Sequence, residues 1–165
     1  MQLEGSCHCK AVRFSLESAE PYPFMRCYCS ICRKTAGGGG YAINLGGNFQ
    51  TMEIEGKEHL SVYQAKMVDA ETGETRASAG QRHFCKHCGS ALWLWDPSWP
   101  DLVHPHASAI DTELPKPPES THLMLGSKPG WVEPQVGPDD RCFDEYPDES
   151  LAQWHRRLGL ASGSE

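Results

Sequence analysis

The sequence predicts a mainly β fold of short antiparallel strands, followed by one short C-terminal helix. Apolar and polar residues alternate over segments of only a few residues, which is the pattern of half-buried strands. Turn-forming residues separate these segments at 46–48, 56–57, 71–73 and 96–97. No long segment with helical periodicity lies between them, so the strands are expected to pair as antiparallel neighbours.

The first predicted strand covers residues 11–16. Val12, Phe14 and Leu16 share one face of this strand, and the residues between them share the other. The same alternation predicts further strands at 24–27, 41–45, 51–55, 60–64, 76–84, 91–95, 103–109 and 122–125.

A short helical turn is predicted over residues 31–36. Ser30 can cap this turn, because its hydroxyl can accept a hydrogen bond from a backbone N–H in the first turn. The turn would place Arg33 and Lys34 close to the cysteines that precede it.

A second helix is predicted near the C-terminus. Acidic residues and a serine at 148–150 suit its start, and Leu151, Trp154 and Leu158 share one face. We expect that face to pack on the sheet. The chain is therefore divided into a β domain over residues 1–147 and a C-terminal helix over residues 148–165, which ends in a disordered tail from residue 161.

Charge and hydropathy argue against two classes of partner. The chain has 165 residues, with 15 Lys and Arg against 22 Asp and Glu, and a net charge of −7. Phosphate backbones are bound through clustered Lys and Arg, so nucleic acid is not an expected partner. No apolar run approaches the roughly 20 residues needed to span a bilayer, so a membrane is not expected either.

Cysteine spacing is the most informative feature of the sequence. Seven of the eight cysteines fall in three tight groups: Cys7 and Cys9; Cys27, Cys29 and Cys32; Cys85 and Cys88. Pairs one or two residues apart allow one short turn to deliver two sulfur ligands to a metal ion. The sequence therefore predicts metal sites, and zinc is the metal that thiolates in tetrahedral arrangement favour.

The seven sulfurs divide into a closed set and an open set. Cys85 and Cys88, followed by Gly89, form a zinc-knuckle turn that needs two more ligands. Cys7 and Cys9 can supply these ligands, because they have no third sulfur nearby in sequence. The other three cysteines can converge on one ion and leave its fourth position for water or a substrate thiolate. We expect one structural and one catalytic zinc ion per chain.

Disulfide and redox chemistry are the alternative uses of these cysteines. Disulfides are typical of small secreted proteins, but the first residues lack the apolar stretch of a signal peptide. A redox pair of Cys29 and Cys32 would leave Cys27 and both outer pairs unexplained. A reducing cytoplasmic setting is therefore expected. Cys142, outside the three groups, is expected to be a partly buried structural thiol.

Five histidines near these motifs are expected to be structural. Because seven thiolates are available, an imidazole ligand is needed only where a cysteine is missing. His87 lies inside the knuckle and is the one candidate for a hydrogen bond to a sulfur. The others are His8, His83, His104 and His106.

Three blocks of sequence resemble the glutathione-dependent formaldehyde-activating family, which includes the centromere protein V type domain. The blocks are 5–14 (GSCHCKAVRF), 27–34 (CYCSICRK) and 84–90 (FCKHCGS). A weaker similarity covers residues 122–125 and the Lys-x-x-Trp segment at 128–131. The order of the cysteine blocks and their neighbours make the resemblance specific, and it extends over residues 3–147.

The resemblance implies a β-tent fold that holds two zinc ions. The structural site would be formed by Cys7, Cys9, Cys85 and Cys88, and the catalytic site by Cys27, Cys29 and Cys32. The family activity is that of S-(hydroxymethyl)glutathione synthase, a carbon–sulfur lyase that joins formaldehyde to glutathione or reverses the addition. A small-molecule thiol and a small aldehyde are therefore the implied partners.

The hypothesised mechanism uses the open zinc ion. It would lower the pKa of a bound thiol, or it would polarise the aldehyde oxygen. Arg33 and Lys34 are expected to attract the carboxylates of glutathione. Two alternatives stay open, a non-catalytic zinc module that binds another protein and a lyase for a glutathione adduct of another electrophile. The second is left open because segments 66–79 and 114–119 depart from the shortest family pattern.

Overall fold

The computed structural model describes residues 1–69 and 71–161, and it is mainly β, as predicted. The strands are β1 (Gln2–Ser6), β2 (Arg13–Glu17), β3 (Met25–Cys27), β4 (Ala42–Ile43), β5 (Gly47–Asn48), β6 (Glu53–Glu55), β7 (Leu60–Val68), β8 (Thr75–Cys85), β9 (Ala91–Trp95), β10 (Leu102–Pro105), β11 (Thr121–Leu123) and β12 (Arg141–Cys142). The α-helices are α1 (Ser30–Thr35) and α2 (Leu151–Arg157). Within the described residues, no helix is long and apolar enough to cross a membrane. The tail that was expected to be disordered lies outside the described residues from 162 onward.

The described strands form three sheets. Their orders are β1-β2-β6, β5-β10-β9-β8-β7 and β12-β11-β3-β4. Pairings in the first two sheets are antiparallel. In the third sheet β3 and β4 are antiparallel, but β11 runs parallel to both β3 and β12. Parallel neighbours need a long connection, and the third sheet therefore gathers distant parts of the chain around the end of β3.

Several boundaries differ from those predicted. The strand predicted at 91–95 has the predicted bounds, whereas the strand predicted at 103–109 ends at Pro105 and gives way to a 3₁₀-helix, Ala107–Ala109. Residues 46–48 were predicted as a turn, but Gly47 and Asn48 form β5 instead, which pairs with β10. A Cβ on Gly47 would lie 2.0 Å from Leu16 Cδ1, so close packing against β2 explains the glycine.

The main core is built from both of the first two sheets. Leu3 and Leu16 of the first sheet and Leu92 of the second are fully buried. Phe14 and Trp93 meet edge to face, with ring centroids 5.1 Å apart. Burial of these side chains joins the two sheets, because apolar area removed from water contributes about 25 cal/mol per Å².

Helix α2 fixes the C-terminal segment beside the third sheet. Trp154 is fully buried and stacks on Phe24, with ring centroids 3.7 Å apart and planes 6° from parallel. Ser150 and Gln153 form a capping box, in which the Ser150 Oγ accepts from the Gln153 N–H and the Gln153 side chain accepts from the Ser150 N–H. Because Phe24 directly precedes β3, this packing braces the strand that ends at Cys27.

Replacing Trp154 by alanine should lower the free energy of unfolding by about 3–5 kcal/mol, since truncation of a buried aromatic side chain removes its burial energy and leaves a cavity. Trp131 offers a matched control, because 70% of it is exposed. Trp131→Ala should change stability by less than about 0.5 kcal/mol. Urea titrations followed by circular dichroism measure both. Equal stability of the two variants would contradict the packing of α2.

Candidate metal centres and the adjoining cavity

Four cysteines from distant parts of the chain meet in one group, which we call the quartet. The Sγ atoms of Cys7, Cys9, Cys85 and Cys88 all lie within 4.8 Å of one another. Cys9 Sγ is 3.5 Å from Cys7 Sγ and 3.7 Å from Cys85 Sγ, and all four cysteines are free thiols. Zn–S bonds of about 2.3 Å in a tetrahedron place sulfurs about 3.8 Å apart. The quartet therefore fits a single zinc ion.

Two hairpin turns deliver the quartet. Cys7 and Cys9 lie between β1 and β2, where the Lys10 N–H donates to the Cys7 carbonyl over 2.9 Å. Cys85 ends β8, and the Gly89 N–H donates to the Cys85 carbonyl over 2.8 Å. Lys10 and Gly89 both adopt the left-handed conformation, with φ of 62° and 72°. This conformation closes each turn tightly, so that both sulfurs of a turn reach the same point.

The thiols of the quartet differ in their tendency to ionise. The pKa of Cys88 is lowered to about 5, first by its hydrogen bond with Ser90. The Ala11 N–H has the largest single effect on Cys9 and lowers its pKa, but the hydrogen bonds with Cys7, Cys88 and Cys85 together with burial outweigh it and raise the pKa to about 12. Thiols in contact oppose one another's ionisation unless a cation compensates the charge. A divalent metal ion would provide that compensation.

Cys27, Cys29 and Cys32 form a second group, which we call the trio. Their Sγ atoms also lie within 4.8 Å of one another. Cys27 ends β3, Cys29 directly precedes α1, and Cys32 lies in the first turn of that helix. Over residues 1–69 and 71–161, no fourth His, Cys, Asp or Glu ligand atom joins the trio within this distance. The trio could hold a metal ion with one coordination position open.

The N-cap of α1 is Cys29, whereas the sequence predicts Ser30. Cys29 Sγ accepts a hydrogen bond from the Cys32 N–H over 3.3 Å and so takes the place of a capping oxygen. The pKa of Cys29 is lowered, first by the hydrogen bond with Cys27 and then by that with Cys32. The pKa of Cys27 is raised, chiefly by the hydrogen bond with Cys29. Cys29 is therefore the sulfur of the trio that most readily becomes a thiolate.

The trio opens into a cavity of about 750 Å³. This volume lies in the range of about 300–1,000 Å³ that is typical of small-molecule sites. Its walls come from the second sheet, from the third sheet and from the segment that leads into α2. Besides the trio, the lining includes Met67, Ser78, Gly80, Arg82, Leu94, Leu102, His104, Met25, Leu123, Tyr146, Pro147, Glu149 and Leu151.

Arg33 and Lys34 do not line this cavity. They line another cavity, of about 760 Å³, together with Lys10 and Asp111. The two cavities share no lining residue. Successive residues of a helix point to different sides, so α1 turns its cysteines to one cavity and these cations to the other. The sequence predicts that Arg33 and Lys34 act beside the trio, but the fold separates them from its cavity.

The histidines and Cys142 lie outside both cysteine groups. His87 Nε2 lies 2.9 Å from His59 Nδ1, so its ring is paired with an imidazole and not with a sulfur. His104 lines the trio cavity, and burial lowers its pKa, which keeps the ring neutral. Cys142 is exposed, not partly buried as predicted, because β12 is the edge strand of the third sheet.

The sequence does not single out His122, which is fully buried. Its Nδ1 lies 3.0 Å from Tyr28 Oη, and its Nε2 lies 3.2 Å from Asp140 Oδ2. The Ser120 N–H also donates to Asp140 over 2.7 Å. The network joins β11 to the loop before β12. Because its members are far apart in sequence, no local pattern indicates it.

Arg82 also lines the trio cavity without being singled out by the sequence. It shares one face of β8 with Ser78 and Gly80, since alternate residues of a strand point to the same side. This alternation is visible within the predicted strand 76–84. Only the assembled fold shows that this face meets the trio.

Comparisons with known proteins agree with the resemblance. The family model described as glutathione-dependent formaldehyde-activating enzyme matches residues 2–125, which include the quartet and the trio. A curated protein of Halomonas elongata, named for the same family, is 63% identical over 163 residues and aligns over 99% of this chain and 100% of its own length. A crystal structure of a Rhodobacter sphaeroides protein shares 26% identity, covers 70% of this chain and 92% of its own, and has a TM-score of 0.49. From the family match and the Halomonas relative, the chain belongs to the glutathione-dependent formaldehyde-activating enzyme family.

Proposed function

We propose that this protein is a zinc-dependent carbon–sulfur lyase that adds formaldehyde to the thiol of glutathione or reverses that addition. The observation that best supports the proposal is the trio, which opens into a ligand-sized cavity and has no fourth protein ligand among the described residues. A structural zinc site is usually closed by four protein ligands, whereas a catalytic site keeps a position for substrate. Family membership suggests the two substrates.

The two cysteine groups would serve different purposes. Cys7 and Cys85 of the quartet are fully buried in the main core, so a zinc ion there would brace the fold. The trio lies in the wall of a cavity. A zinc ion at the trio would supply a Lewis acid that lowers the pKa of a bound thiol or polarises the aldehyde oxygen.

The proposed reaction makes one bond between the thiol sulfur and the aldehyde carbon. The thiol proton ends on the former carbonyl oxygen, so no oxidant, reductant or covalent bond to the protein is needed. The protein's own part is to hold the thiol at the trio and to limit water around the reacting atoms. Leu94, Leu102 and Leu123 provide apolar walls for this purpose.

A cytoplasmic location is part of the proposal. Every cysteine of the chain is a free thiol in the structure. Thiols persist in reducing compartments, whereas oxidising compartments favour disulfides between neighbours as close as these.

Cys29→Ser should remove the zinc ion of the trio and leave that of the quartet. Zinc content should therefore fall from two ions per chain to one, in line with the two cysteine groups. Mutation of residues that merely support a metal ligand costs about 10- to 100-fold, so loss of a ligand should lower kcat/KM by at least about 100-fold. Elemental analysis measures the zinc. NMR exchange between formaldehyde and glutathione, with the uncatalysed rate subtracted, measures activity.

The matched control is Cys142→Ser, because Cys142 is exposed and lies in neither cysteine group. This variant should keep the zinc content and rate of the wild type. Normal turnover by Cys29→Ser would refute the catalytic role of the trio. Two zinc ions in a wild-type protein that neither binds glutathione nor accelerates the exchange would instead favour a non-catalytic binding module.

Cys85→Ser should lower the melting temperature much more than Cys29→Ser. A closed structural zinc site contributes on the order of 10 kcal/mol to folding, and Cys85 is fully buried in the main core. Thermal melts with and without a chelator measure the difference. The chelator should destabilise the wild type and have little further effect on Cys85→Ser. Equal melting temperatures for the two variants would contradict the structural role of the quartet.

A further inference from the structure

Arg82 brings a positive charge into the wall of the trio cavity. Among the described residues that line the cavity, it is the only Lys or Arg. It lines the same cavity as Cys32 of the trio and as Tyr146, which belongs to another wall. A ligand held at the trio would therefore lie within reach of the field of this guanidinium.

The guanidinium of Arg82 has no partner within the described part of the chain, where it forms neither an ion pair nor a hydrogen bond. A guanidinium carries five N–H donors in a planar fork that matches the two oxygens of a carboxylate. An arginine that stabilises the fold would normally use some of these donors. Arg82 instead leaves all of them available to a molecule in the cavity.

Carboxylates are also present in the cavity lining. Glu149 is paired with Arg141 and Arg157. Glu20 and Asp96, by contrast, form no ion pair with any residue that the structure describes. The cavity therefore offers groups of both signs that form no ion pair, and one oxygen of Asp96 accepts hydrogen bonds from Ser98. This arrangement suits a ligand with both charges, such as glutathione, which carries one ammonium and two carboxylates around its thiol.

We propose that Arg82 binds a carboxylate of the thiol substrate and thereby selects glutathione over uncharged thiols. The inference rests on the proposed function in that it takes the ligand of the cavity to be glutathione. The contact would anchor the charged end of the ligand while its thiol reaches the trio. Arg82 thus takes the role that the sequence predicts for Arg33 and Lys34, which line the other cavity.

The experiment compares the affinities of S-methylglutathione and its diethyl ester by isothermal titration calorimetry. The methylated sulfur cannot ionise, so binding reports mainly on the charged groups of the ligand. The ester lacks both carboxylates. Arg82→Met should weaken binding of the acid by about 10- to 100-fold, the usual effect of a charge-assisted hydrogen bond, and should leave binding of the ester unchanged.

Arg76→Met is the matched control, because Arg76 lies on the same strand, is exposed and does not line the cavity. It should bind both ligands as the wild type does.

Arg82→Lys should bind the acid with intermediate affinity, because it keeps the charge and loses the planar fork. In turnover with glutathione, Arg82→Met should raise KM more than it lowers kcat. If Arg82→Met does not fold, Arg82→Gln takes its place in the same comparison.

Two outcomes of the calorimetry would overturn the inference. One is an Arg82→Met variant that keeps the full preference of the wild type for the acid over the ester. The other is a wild type that binds acid and ester equally well. A wild type that prefers the acid through Arg82 but forms no formaldehyde adduct would refute the proposed function and support the Arg82 contact. If the wild type is active but Arg82→Met has an unchanged KM for glutathione, the proposed function is supported and the Arg82 contact is refuted.

Discussion

The close approach of thiol groups is the constraint on which this fold depends. The sulfurs of each group lie within 4.8 Å of one another, at distances where neighbouring thiols hinder each other's ionisation. The quartet connects the turn after β1 to the turn after β8, so it links the first sheet to the second. The trio connects β3 of the third sheet to α1. A metal ion at these junctions would add its binding free energy to the free energy of folding.

The cysteine thiols of the quartet and of the trio lie in different surroundings. In the quartet, Cys7 and Cys85 are packed among core side chains such as Leu92, and two tight turns complete the group. In the trio, the helix cap and the strand end present three sulfurs to a cavity, and the described residues leave the fourth side to a ligand. Spacing in the sequence sets the number of sulfurs in each group. The sheets decide which of the two groups borders the trio cavity.

Local patterns in the sequence predict the features that depend only on residues close together in the chain. Alternation predicts Ala91–Trp95, cysteine spacing predicts the two groups of sulfurs, and the apolar face of α2 predicts the burial of Trp154. Features that depend on distant neighbours were not predictable. The parallel pairing of β11 with β3 and the packing that makes Gly47 part of a strand arise only in the assembled fold. The sides on which Arg33 and Arg82 lie depend in the same way on how α1 and β8 are placed.

The segment that leads into α2 closes one side of the trio cavity, although the family match ends at residue 125. Tyr146, Pro147 and Leu151 thus shape the space beside sulfurs that belong to the shared part of the chain. The stacking of Trp154 on Phe24 holds this segment in place independently of any cysteine. The shape of the space beside the trio is therefore set in part by a stretch of polypeptide beyond the family match, whereas the three sulfurs lie within that match.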